Sequence, residues 1–247
     1  MNADQPARPA NILNIVAINQ GLRPLTMGEP EVRWITPAAV ADAEQAGALI
    51  VDTRPSAAFG SAHIPRALNI QLTAPEFEQR VGWITPVDVP IVLVVASADL
   101  APRALRALAF LGLDGRVTGV LEGGMERWTA EGLPTVALPQ MTARDLQERL
   151  SSGDRLHVLD VREPAEWNEG HIAGAHLESH RLLPQRIHTL PFDRDAPIAV
   201  ICHSGARSSI ASSVLQHHGF RRVTNVTGGM TAWREAGLPM VAGGPHM

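Results

Sequence analysis

Tyrosine is absent, cysteine occurs once, and only 5 Phe and 5 Trp stand among the 247 residues. One cysteine excludes an intramolecular disulfide, so nothing points to an oxidising compartment. With aromatic residues at 4% and apolar residues at 45%, a core of ordinary size has to be built mainly from aliphatic side chains. Positive charge is also in deficit: 21 Lys plus Arg stand against 25 Asp plus Glu, a net charge of −4. That balance argues against a nucleic-acid partner, whose phosphates are held by excess Lys and Arg. No stretch approaches the ~20 consecutive apolar residues of a membrane helix. The first residues, Met1 to Pro6, lack the basic start and long apolar stretch of a secretory leader. The expectation is a cytoplasmic protein with no membrane contact.

What is present is present twice. Asp52-Thr53-Arg54 matches Asp160-Val161-Arg162, and His63-Ile64 matches His171-Ile172, each pair 108 positions apart. Gly123-Gly124-Met125 returns as Gly228-Gly229-Met230, Trp128 as Trp233, and Gly132-Leu133-Pro134 as Gly237-Leu238-Pro239, all 105 apart. The features keep their order, and the period far exceeds a solenoid unit of about 20–50 residues, so one domain occurs in two copies. The copies span 31–137 and 138–247, joined near Thr135 to Gln140, with residues 1–30 as an amino-terminal arm.

Each copy alternates strand and helix. In the second, Thr142 caps a helix running to Leu150, with Asp145 in its first turn. Leu156–Val161, Pro197–Cys202 and Val223–Val226 are short apolar strands. Pro164 opens a short helix. A helix over Ser208–His218 stops at Gly219, and a last one covers Met230–Ala236. Strands of this kind between helices predict an α/β fold in each copy: a mainly parallel sheet covered by helices on both faces, with ligands at the carboxyl ends of the strands.

Cys202 stands at such an end, followed by His203-Ser204-Gly205-Ala206-Arg207-Ser208. Small residues and Gly205 let the backbone curl with its N–H groups inward, an anion-binding nest. The next helix adds the positive end of its dipole, and Arg207 adds a forked cation. All three favour thiolate over thiol, so Cys202 reads as a nucleophile, ionised and exposed. The plainer reading, an inert buried cysteine, leaves the loop without a purpose.

These segments, from Asp160 to Trp167, Gly170 to Ala175, Cys202 to Ser208 and Gly228 to Trp233, resemble a rhodanese (sulfurtransferase) domain over essentially all of 138–247. The first copy resembles the same family through Asp52-Thr53-Arg54, His63-Ile64-Pro65 and Gly123-Gly124-Met125. The resemblance implies tandem rhodanese-like domains. It implies a Cys202 persulfide that carries sulfane sulfur from thiosulfate or a persulfide to a thiol, sulfite or cyanide. Residues 203–208 would bind substrate, and Asp160, Arg162, Glu166 and His171 would support the site. Asp160, Arg162 and His171 recur in the first copy, which favours architecture for them. That copy has Val95 opposite Cys202, in the loop Val95-Ala96-Ser97-Ala98-Asp99-Leu100-Ala101, and Ala58 opposite Glu166, so it reads as inactive.

Three other readings stay open. A persulfide relay or sensor for a protein partner would use the same Cys202. A cysteine phosphatase or arsenate reductase would need five residues between Cys and Arg, where this loop has four. A metal site could draw on His171, His176, His180, His188, His217 and His218, but no Cys or carboxylate completes a ligand set, so no metal or other cofactor is expected. The segment from Pro9 to Gly21 resembles the tail of metallo-β-lactamase-fold proteins fused to rhodanese domains. That implies glutathione persulfide chemistry and a separate persulfide dioxygenase as partner. The plainer reading is a strip packed along the first domain.

Overall fold

The computed structural model describes residues 16–18, 20–22 and 28–243. Most of the Pro9–Gly21 segment lies outside the described residues. The chain divides into two compact units, one made of residues up to 55 and 67–135, the other of 56–66 and 136 onward.

The first sheet contains β1 (Trp34–Ile35), β2 (Leu49–Asp52), β3 (Leu68–Asn69), β4 (Ile91–Val94) and β5 (Val117–Leu121). The second contains β6 (Gln140–Met141), β7 (His157–Asp160), β8 (His176–Leu177), β9 (Ile198–Ile201) and β10 (Val223–Val226). Their strand orders are β1-β5-β4-β2-β3 and β6-β10-β9-β7-β8, the same order twice, and every neighbouring pair is parallel. The helices are α1 (Pro37–Gln45), α2 (Ser56–Ser61), α3 (Phe77–Ile84), α4 (Leu100–Ala109), α5 (Gly124–Ala130), α6 (Ala143–Ser151), α7 (Pro164–Asn168), α8 (Leu183–Arg186), α9 (Ala206–His217) and α10 (Gly229–Glu235). None of them is long and apolar enough to cross a membrane.

The central strands explain the order. All four residues of β4 and of β9 are buried, as strands in the middle of a helix-covered parallel sheet must be. In the second unit, Leu146, Val158, Ala199, Ile201 and Val226 form an aliphatic core around Trp167, Met230 and Trp233. The scarce aromatics are thus concentrated at core positions: Phe59, Trp128, Trp167 and Trp233 are all buried. Two of them also repeat a bond, the indole N–H of Trp128 donating to the Pro134 carbonyl at 2.9 Å and that of Trp233 to the Pro239 carbonyl at 3.0 Å.

Local signals account for the element ends. Thr142 accepts from the Asp145 N–H, and the Asp145 carboxylate accepts from the Thr142 N–H at 2.8 Å, a reciprocal cap on α6. Helix α9 starts at Ala206, two residues before its expected start, because Gly205 at φ 104° turns the chain directly into it. The two-residue strands β6 and β8 and the single turn α8 have no counterpart in the sequence reading.

From β7 the chain moves outward to β8, and from β9 it moves the other way to β10. The loops after β7 and β9 therefore part at the carboxyl ends of the strands, the switch point at which open parallel sheets place their ligands. Asp160 ends one strand and Cys202 follows the other.

Candidate active site

Cys202 leaves β9 into a loop pinned from behind. The first N–H groups of α10 have no partner within their own helix. Two of them serve the loop: Met230 N–H donates to the Cys202 carbonyl at 2.8 Å and Thr231 N–H to the His203 carbonyl at 2.9 Å. The Thr231 hydroxyl donates to the His203 carbonyl as well, at 3.0 Å. A trans peptide points its C=O and the following N–H in opposite directions. Anchoring those two carbonyls on α10 therefore turns the N–H groups of His203 and Ser204 away from that helix. The approach is close enough to demand Gly229. A Cβ there would lie 2.4 Å from the Cys202 carbonyl oxygen and 2.6 Å from that of His203.

The sulfur lies inside this curl. Gly205 N–H donates to Cys202 Sγ at 3.1 Å, and the thiol donates to Ser208 Oγ at 3.4 Å. The Ser208 hydroxyl in turn donates to the Gly205 carbonyl at 3.1 Å. A hydroxyl proton can rotate, so Ser208 can also donate to an ionised sulfur. The twelve-residue α9 points its amino end at the loop. Cys202 itself is only 1% exposed. The expectation of an exposed sulfhydryl is corrected here: the same loop that supplies the N–H groups wraps the sulfur.

Arg207 does not point at the sulfur as a free cation. Its two terminal nitrogens donate to the two carboxylate oxygens of Glu166 at 2.6 and 2.7 Å. Burial, the largest influence, pushes the Glu166 carboxyl up. The Arg207 hydrogen bonds and charge, the Glu163 N–H and the Arg162 charge outweigh it and hold the group at about 2. Burial works against the Arg207 charge, but the Glu166 bonds and the nearby charges of Cys202, Glu166 and Glu163 raise its pKa. His203 is half exposed, with Nδ1 3.9 Å from Glu166. Ser204 is exposed, and Ala206 half-buried at the start of α9.

The remaining expected residues build the frame. Arg162 Nε and Nη2 grip the Asp160 carboxylate at 2.7–3.0 Å, and its other donors hold the carbonyls of Glu166 and Gly170 at 3.0 and 2.9 Å. It thus fixes both ends of the short stretch that carries Glu166. His171 stacks on Trp167 with ring centres 3.5 Å apart and pairs with the Trp167 carbonyl at 3.1 Å. The described bonds of His171 go to this frame and not to the Cys202 loop. Among the described residues no three His, Cys, Asp or Glu side chains converge as a metal site requires.

The rhodanese-like domain profile matches residues 36–131 and again 142–236. The chain belongs to the rhodanese-like family. A sulfurtransferase of Allochromatium vinosum is 38% identical over 103 residues, which are 42% of this chain and 94% of that protein. The thiosulfate sulfurtransferase GlpE of Vibrio cholerae is 33% identical over 86 residues, 35% of this chain and 79% of that one. The probable adenylyltransferase/sulfurtransferase MoeZ of Mycobacterium tuberculosis is 36% identical over 101 residues, which are 40% of this chain but only 25% of MoeZ.

Comparing the two rhodanese-like copies separates frame from site. Asp52 pairs with Arg54 at 2.6 Å as Asp160 does with Arg162, and His63 stacks on Phe59 as His171 does on Trp167. In β-sheet register Asp52 faces Val94 and Asp160 faces Ile201, which places Val95 at the position of Cys202. Leu100 then stands for Arg207 and Ala58 for Glu166, so the ion pair is missing where the thiol is missing. The glycine contact loosens as well: a Cβ on Gly124 would lie 3.7 Å from the Val95 carbonyl oxygen.

Sequence reasoning did not assign three site features. Gly228-Gly229-Met230 served as a repeat marker and as part of the family resemblance, yet with Thr231 it anchors the loop. Glu163 accepts from the Ser179 hydroxyl at 2.8 Å and lies 3.6 Å from Arg181. Ser179 and Arg181 follow β8, a strand too short to show in the pattern, so nothing along the chain linked them to Cys202.

Proposed function

We propose that this chain is a sulfurtransferase that works through a persulfide on Cys202, with 138–247 as the catalytic domain and 31–137 as a domain without sulfur chemistry. The observation that carries this reading is the sulfur of the only cysteine, held by the Gly205 N–H inside an amide-lined loop beside the amino end of α9.

In the first half-reaction the Cys202 thiolate attacks the outer sulfur of a donor, thiosulfate or a persulfide such as that of glutathione. A new S–S bond forms, the donor's own S–S bond breaks, and its electron pair leaves on sulfite or on a thiolate. The loop N–H groups and Ser208 hold the charged outer sulfur of the resulting persulfide, as donors fixed in advance around a developing anion do. In the second half-reaction a thiol, sulfite or cyanide attacks that outer sulfur and the Cys202 thiolate departs. Dividing the transfer this way gives ping-pong kinetics. The acceptor class extends to a partner protein, a separate persulfide dioxygenase or another member of a sulfur relay.

The test is turnover of Cys202→Ser with thiosulfate and with glutathione persulfide. The variant is expected to have no transfer above background with either donor, while the wild-type protein gives parallel double-reciprocal lines. Transfer retained without the thiol contradicts the proposal.

A further inference from the structure

Four side chains on the Cys202 loop or paired with its neighbouring carboxylates can carry positive charge: Arg207, His203, Arg181 and His180. Glu166 takes both terminal nitrogens of Arg207, and its Oε1 lies 3.9 Å from His203 Nδ1. Glu163 Oε1 lies 3.6 Å from Arg181 Nε and 3.9 Å from His180 Nδ1, and Glu163 adds its charge near Arg207. Arg162, behind them, is committed to Asp160. A donor entering the loop meets N–H groups, but its extra negative charge meets cations that already have partners.

Donors of sulfane sulfur differ in this respect. Thiosulfate is a dianion whose two charges sit beside the reacting sulfur. A persulfide brings one charge to that end, or none when protonated. Taking charge into a closed loop is costly unless an uncommitted cation compensates it.

We infer that Glu166 sets the charge class of the donor: by holding the Arg207 guanidinium in a two-bonded pair, it fits the Cys202 loop to persulfides in preference to dianionic thiosulfate. This rests on the reading of Cys202 as the sulfur carrier. The repeat sets this pair apart from the frame. The first copy keeps the Asp52–Arg54 pair of the frame, yet Ala58 and Leu100 replace both members of the Glu166–Arg207 pair where Val95 replaces the thiol. The pair therefore goes with the chemistry and not with the architecture. Glu166 acts through Arg207 and is a positioning residue. With either donor the same bonds form and break: Cys202 thiolate takes the outer sulfur, and the electron pair of the donor's S–S bond leaves on sulfite or on the thiolate. No external oxidant or reductant is required.

Because Cys202 is the sole thiol, alkylation reads the charge of its surroundings directly. Iodoacetate and iodoacetamide share a leaving group and differ in charge. In the wild-type protein the iodoacetate-to-iodoacetamide rate ratio should be no higher than that of mercaptoethanol in the same buffer. Glu166→Gln, which leaves Arg207 uncompensated, should raise it about tenfold, the low end of what a focused charge does to an encounter rate. The thiosulfate-to-alkyl-persulfide ratio for loading Cys202 with sulfur should rise in parallel, and Glu166→Asp should stay at the wild-type value. A wild-type alkylation ratio tenfold above mercaptoethanol overturns the inference, and that arm stands even where a variant fails to fold by circular dichroism. An unshifted ratio in folded Glu166→Gln overturns it too. Loading by both donors at an unchanged ratio removes this inference alone, whereas no loading by any donor removes the sulfur-transfer reading and this inference with it.

Discussion

At Arg162 the structure concentrates several duties in one side chain. It is fully buried, pairs with Asp160 and holds two carbonyls of the α7 segment. Removing one member of a buried pair leaves the other charge uncompensated, which costs about 3–5 kcal/mol. Arg162→Ala should therefore lose about that much stability in urea unfolding, more than Arg54→Ala, whose side chain is 11% exposed and can recover some hydration for its partner. A loss at Arg162 no larger than that at Arg54 would contradict this expectation. Glu166 gives a pH-dependent counterpart. Its folded pKa of about 2 lies below the ordinary carboxylate value of about 4.3. The Arg207 pair therefore contributes stability fully present above that ordinary value and lost as pH falls toward the folded one. The stability difference between wild type and Glu166→Gln should be level from neutral pH down to about 5 and shrink below about 4. A difference unchanged down to pH 3 would contradict the pairing.

At the scale of elements, the Cys202 loop owes its shape to α10 as much as to its own residues. Gly229 at φ 55° brings two helix N–H groups onto the Cys202 and His203 carbonyls. In Gly229→Ala the new Cβ meets backbone oxygens that cannot rotate away, so the loop must shift. A displacement of that order at reacting groups costs about 100-fold in rate. Gly124→Ala is the control: the positive φ costs about 1–2 kcal/mol there too, but no backbone atom is struck, and sulfur transfer should not change. Comparing kcat/KM of the two variants checks this. These contacts also mark how far the sequence was legible. Strand β9, helix α9, the cap at Thr142 and the frame residues Asp160 and Arg162 could be read because each leaves a local pattern: an apolar run, a helical period, a capping pair, a repeated motif. The burial of Cys202, the grip of Glu166 on Arg207 and the anchoring by α10 could not. They join residues distant in sequence, and the two-residue strand β8 that delivers Ser179 and Arg181 is too short to show a period.

At the scale of the whole molecule, one fold occurs twice with one equipped thiol. The sheets share their strand order, the Asp–Arg pair, the stacked histidine and the tryptophan-to-carbonyl bond, so the same frame recurs with a thiol in one copy and without one in the other. The difference at Val95 is more than a missing sulfur. Its loop carries Asp99 where the second loop has Ala206, lacks the ion pair and lacks the tight glycine contact. Placing a thiol there with Val95→Cys, in a chain that also has Cys202→Ser, should therefore give no stable persulfide by mass spectrometry. Loading at position 95 would show that the surrounding loop is dispensable.

The proposed persulfide on Cys202 is most directly tested by intact mass measurement of the wild-type protein after incubation with donor and desalting. The account predicts one added sulfur per chain, absent when Cys202 has first been alkylated and removed by an acceptor thiol. A mass unchanged by thiosulfate and by every persulfide tried, with the fold intact, would contradict it.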